Sequence, residues 1–139
     1  MSELTITFRA PPDSVDVVHA GLDALWRNEP TVAGPDRWAF ETAVIELASN
    51  VLQHASSHAA ILCSLHVVAD ADALRAVLTD SADEPDIDMR PREMPDPLAE
   101  SGRGIALINA LVDDFDYRRS DLQNIWTLTL SRAAPAASP

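Results

Sequence analysis

Apolar and polar residues alternate along Leu4-Thr5-Ile6-Thr7-Phe8, the period of a half-buried strand, and Pro11-Pro12 stops it. The period then lengthens. Val15, Val18, Leu22, Leu25 and Trp26 fall mostly three or four apart, which predicts a helix capped by Asp13 or Ser14 and running to about Asn28. Glu29 to Pro35 reads as a loop closed by Gly34-Pro35-Asp36. Phe40, Val44, Leu47, Val51 and Ala55 predict a second helix from about Asp36 to Ala55, with that stripe toward the core. Alternation returns over Ala60 to Val68, with Ile61, Cys63, Leu65 and Val67 on one side. A turn at Asp70-Ala71-Asp72 leads into Ala73 to Thr79, with Leu74, Ala76 and Leu78 on one face. Beyond Gly102, Ile105, Ile108, Leu111 and Val112 mark a short helix. Strands follow over Phe115 to Arg119 and Ile125 to Leu130, joined by a turn at Asp121-Leu122-Gln123. Consecutive strands favour hairpins. The predicted class is therefore α+β, a two-layer sandwich whose mainly antiparallel sheet is covered on one face by about three helices.

Composition narrows the function. A chain of 139 residues suits one domain, taken as residues 1–131, followed by a disordered tail over 132–139 that is small, polar and proline-bearing. Hydrophobic residues are 47% and charged residues 23%, the balance of a globular protein. All ten positive side chains are arginine, which excludes a Walker A phosphate loop and lysine-based catalysis. The net charge of −12 argues against nucleic acid and against an anionic membrane surface as partners. Cys63 is the single cysteine, so no internal disulfide forms, in keeping with a cytoplasmic protein. His58 and His66 make no metal-ligand spacing with it. The N-terminus lacks the apolar run of a signal peptide, and no stretch approaches the ~18 apolar residues of a membrane span. The charge is uneven. Asp80 to Glu100 holds eight acidic residues and two arginines, a net −6, together with four prolines. Such a segment is a long functional loop or a solvated acidic linker.

Three places carry candidate chemistry. Glu46, Asn50 and His54 recur every four residues and stack in one row along the edge of the apolar stripe. A polar row at a core boundary must be hydrogen-bonded or serve a ligand: a carboxylate base, an amide oxygen for a metal and a further contact. The plain alternative is a polar helix flank. Asp80 ends a strand just before the long loop, where it could accept an exocyclic amine or simply close a turn. Ser101-Gly102-Arg103-Gly104 opens an apolar helix, so backbone N–H groups, the helix dipole and a guanidinium converge as they would on a phosphate; a tight turn is the simpler reading.

The order of these features is more specific than any one of them. Glu46-Leu47-Ala48-Ser49-Asn50-Val51-Leu52-Gln53-His54-Ala55 resembles the N box, and Gly102-Arg103-Gly104-Ile105-Ala106-Leu107-Ile108 with Leu111-Val112-Asp113 resembles the second glycine box, of the ATP-binding fold shared by sensor histidine kinases, type II topoisomerases and Hsp90 chaperones. Within it the chain looks most like the anti-sigma-factor serine kinases of bacterial partner-switching systems, over nearly its whole length. The resemblance implies ATP and Mg²⁺ as ligands. It makes Glu46 the general base for a substrate serine and Asn50 the Mg²⁺ ligand, with His54 beside them. Asp80 would bind the adenine amino group, and Gly102, Arg103, Gly104 and Ile105 would hold the phosphates. Asp83 to Ser101 would be a lid, and Thr127 a second contact near adenine. Implied partners are an anti-sigma antagonist with a phosphoacceptor serine and a sigma factor or equivalent target; a homodimer is compatible with the pattern. The alternative is a catalytically weak or inactive module that sequesters a partner. One departure motivates it: where the family has D-x-G, this chain has Asp80-Ser81-Ala82. Ala82 is restricted where a backbone needs positive φ.

Overall fold

The computed structural model describes residues 1–53, 60–85 and 103–133. Five strands form one antiparallel sheet: β1 (Ser2–Ala10), β2 (Ile61–Ala69), β3 (Ala73–Asp80), β4 (Asp114–Ser120) and β5 (Gln123–Ser131), in the order β1-β2-β3-β5-β4. Three helices, α1 (Asp16–Asn28), α2 (Gly34–Gln53) and α3 (Arg103–Leu111), supply the second layer. The α+β sandwich expected from the pattern is the one observed.

The core lies between the layers and follows the two periodicities. Cys63, Leu65 and Val67 of β2, Leu74, Ala76 and Leu78 of β3, and Trp126 and Leu128 of β5 are buried on the helical side. Val18, Leu22 and Leu25 of α1 and Phe40, Val44, Leu47 and Val51 of α2 meet them. Trp26 and Phe40 join α1 to α2 edge-to-face, with ring centroids 6.2 Å apart. Gly21 lets α1 lie close on β1, because a Cβ there would run into the Ile6 side chain.

Element ends differ from the sequence reading in instructive ways. Helix α1 starts at Asp16 behind Val15, with no side-chain cap. Asp13 instead closes the Pro11-Pro12 turn: its N–H donates to the Arg9 carbonyl at 2.9 Å, and its Oδ2 accepts the Arg9 N–H at 3.0 Å. The Ser14 hydroxyl accepts the Asp16 N–H at 3.3 Å. Gly34 and Pro35 open α2 rather than close the loop before it; proline fits a first turn, whose N–H groups have no intrahelical acceptor. The β2–β3 turn is held as expected. Asp70 Oδ1 accepts the N–H groups of Asp72 and Ala73, both at 2.8 Å, and these bonds hold its carboxyl below the usual range.

Arg132 and Ala133, read from the sequence as the start of a loose tail, are fastened. Arg132 N–H donates to the Asp72 carbonyl at 2.9 Å and Ala133 N–H to Asp36 Oδ2 at 2.7 Å. The far end of the expected α2, with His54 and Ala55, lies outside the described residues, as do residues 86–101 of the expected lid, Gly102 and residues 134–139. No described helix is long and apolar enough to cross a membrane.

Candidate functional site

Helix α2 runs under the sheet and presents Glu46 and Asn50, both half-buried, one turn apart on its flank. Helix α3 packs against that flank. The contact falls on the start of α3. A Cβ on Gly104 would collide with the Asn50 amide nitrogen and lie 3.0 Å from its Cγ and Oδ1. Gly104 is therefore needed for close approach, and the two motifs meet at one point. There the Asn50 Nδ2 is buried with no hydrogen-bond partner among the described residues. An orphaned buried donor costs about 1–3 kcal/mol, so this atom calls for an acceptor. A phosphate oxygen at the first turn of α3 supplies one, and a half-turn of the amide would present its oxygen to a cation instead. The residues present thus fit a nucleotide phosphate and its Mg²⁺. Ile105 is buried behind Gly104. Arg103 begins α3; Gly102 and His54 lie outside the described residues.

The second cluster is built on Asp80, the last residue of β3, which is 1% exposed. Its Oδ1 accepts the Ala82 N–H at 2.9 Å, an Asx turn that starts the following loop. Among the described non-glycine residues, positive φ occurs at Asp121 and Leu122 and not at Ala82. The alanine at this position therefore carries no left-handed strain. Cys63 pairs with Asp80 across β2 and β3, and burial with the nearby Asp80 charge pushes its thiol up to about 12, so it stays protonated.

Sequence reasoning missed the partners of Asp80. Trp126 donates its indole N–H to Asp80 Oδ2 at 2.8 Å, and Asn124 donates its amide to Oδ1 at 2.8 Å. Tyr117 and Arg119, on β4, donate to Asn124 Oδ1 at 2.7 and 2.9 Å. Burial, followed by the Glu84 charge, raises the Tyr117 phenol above its ordinary value. A signal existed: in Asn124-Ile125-Trp126-Thr127-Leu128 the core-facing positions are 124, 126 and 128, so a polar Asn124 in that row needed a buried partner. The same alternation places Thr127 on the opposite face of β5, in register with Val77 and Asp116. Thr127 is thus not brought together with Asp80. The structure joins Asn50 to Gly104 and Asp80 to Ala82, with Glu46 one turn from Asn50.

Comparison with known proteins bears on the family and the fold. The pattern of the family described as histidine kinase-like ATPase domain matches residues 8–130. The fold is similar to the crystal structure of the RsbU and RsbW domains of Rv1364c from Mycobacterium tuberculosis, with a TM-score of 0.62 and 21% identity. That match covers 99% of this chain and 35% of the other, so the chain spans about a third of that protein. No curated protein matches the sequence.

Proposed function

The chain belongs to the histidine kinase-like ATPase domain family, and from that premise we propose that it is a cytoplasmic, ATP-binding protein serine kinase of the anti-sigma-factor type. Its substrate would be a serine of an anti-sigma antagonist, and it would also bind a sigma factor or equivalent target. The contact that carries this reading is Asn50 on Gly104, with a buried amide nitrogen that has no partner among the described residues at the start of α3. Solved RsbW and RsbU domains in the similar mycobacterial protein support a partner-switching setting.

In this reading the first turn of α3, with Arg103 and Gly104, receives the phosphates, and Gly102 precedes it. Asn50 would hold Mg²⁺ through its side-chain oxygen, and the cation would supply charge to offset that of the phosphates. Glu46 takes the proton from the serine hydroxyl as that oxygen bonds to the γ-phosphorus, and ADP leaves with the electrons of the broken bridging bond. Asp80 receives the adenine amino group.

Titration calorimetry with ATP and Mg²⁺, followed by transfer from labelled ATP to an acceptor protein, tests the proposal. Asn50→Ala should lower nucleotide affinity at least tenfold with the fold intact. Unchanged binding would remove the phosphate and metal assignment. One observation favours the second reading, a binding module without turnover: Asp80 is almost fully buried and already takes three internal donors. No ATP binding together with tight association with a protein partner would establish that reading instead.

A further inference from the structure

Asp80 has more donors than a strand-end turn requires. A carboxylate has about four acceptor positions, two on each oxygen. Oδ1 is filled by Asn124 Nδ2 at 2.8 Å and Ala82 N–H at 2.9 Å, whereas among the described residues Oδ2 takes only the Trp126 indole at 2.8 Å. One acceptor position is left. The donors are themselves fixed. Asn124 is 1% exposed, and its oxygen receives Tyr117 and Arg119, while its nitrogen also reaches the carbonyls of Ala82 and Asp83, both at 3.1 Å. Turning the amide over would set its NH₂ against Arg119, which only donates, and its oxygen against Asp80. Trp126 is 5% exposed and sits against Tyr117 at 4.5 Å and stacked on Phe115 at 6.0 Å between centroids. Neither donor has room to follow a moving carboxylate.

Resting on the reading of Asp80 as the base-binding carboxylate, we propose that Trp126 and Asn124 are positioning residues that leave Asp80 a single aimed acceptor on Oδ2, and that this sets selection for a purine with an exocyclic amino group over one with a carbonyl there. An amino group donates to the remaining position. A carbonyl oxygen brings an acceptor against an acceptor, and neither Asn124 nor Trp126 can turn to relieve it. Asn124 also reaches the loop that follows: the Ala82 carbonyl accepts from Asn124 at 3.1 Å and from Arg119 at 3.0 Å, so the loop start is held by side chains.

The test compares ATP with inosine triphosphate, which carries a carbonyl in place of the amino group, by calorimetry with Mg²⁺. The unaltered protein should prefer ATP by at least about tenfold, the effect of one hydrogen bond to a charged acceptor. Trp126→Phe keeps an aromatic ring and removes the N–H; Asn124→Ser removes the amide and its NH₂ donor. Each should cut the preference several-fold, whereas a purely structural role would weaken both nucleotides alike. Should either variant fail to fold, the Trp126 indole proton of the unaltered, ¹⁵N-labelled protein serves instead: its resonance should shift with ATP and not with inosine triphosphate. An unchanged preference in folded variants, or an identical indole shift with both nucleotides, overturns the positioning role. If the unaltered protein binds neither nucleotide, the nucleotide-site reading falls with it.

Discussion

At the scale of the residue, the most demanding contact is Gly104 on Asn50. Any side chain at 104 must displace the Asn50 amide or push α3 from α2. Gly104→Ala should therefore destabilise by about 1–3 kcal/mol, the range for overpacking a closed contact. The two positions share one space, so their effects should not add: in Asn50→Ala the same change should cost at least ~0.5 kcal/mol less. Urea unfolding of the four proteins gives that coupling, and strict additivity would break the inferred contact. Cys63 offers a second check. Its thiol is buried and raised to about 12, so the reactive thiolate is nearly absent at neutral pH in the folded state. Iodoacetamide at pH 8 should label it only as fast as the chain unfolds, and addition of denaturant should release the reaction. Fast labelling of the native protein would contradict the geometry around Cys63 and Asp80.

At the scale of the element, the apolar period located each of the eight elements, because the burial that fixes a helix face or strand face is written as spacing. Ile61, Cys63, Leu65 and Val67 show this: each alternate position is buried in β2. Ends were less legible. Asp13 looks like a helix cap by residue type, yet the diproline turn claims it first. Of the site, the Asn50 and Gly104 motifs could be read locally, whereas the partners of Asp80 could not, since Asn124 is 44 residues away and its role depends on strand pairing. The β4–β5 hairpin tests the local rules in the other direction. Asp121 and Leu122 sit at φ of 52° and 65°, a left-handed pair that suits a two-residue hairpin but burdens non-glycine residues. Leu122 is 81% exposed, so it contributes little to packing. Leu122→Gly should raise stability by about 1 kcal/mol through relief of that backbone conformation. Thermal unfolding measures it, and a fall in stability would mean that Leu122 packs where the structure leaves it open.

At the scale of the molecule, charge is the dominant physical fact. The chain carries −12, yet the proposed ligand is itself a polyanion. Half of that charge lies in Asp80 to Glu100, next to the residue proposed to hold the base. The local attraction must come from short-range features: the first turn of α3, one arginine and the Asn50 amide. Helix-end effects fade within a turn, whereas the field of twelve net charges reaches a Debye length, about 30 Å at 0.01 M salt and about 8 Å at 0.15 M. Salt should therefore screen the repulsion more than the attraction. Raising sodium chloride from about 0.01 to about 0.15 M at constant Mg²⁺ should speed ATP association several-fold, the reverse of the usual behaviour at a basic nucleotide site. The same change should raise the unfolding temperature, because self-repulsion of the folded chain is relieved. Stopped-flow association and a thermal scan read the two effects separately. An association rate that falls with salt would show that the field at the site is positive despite the net charge.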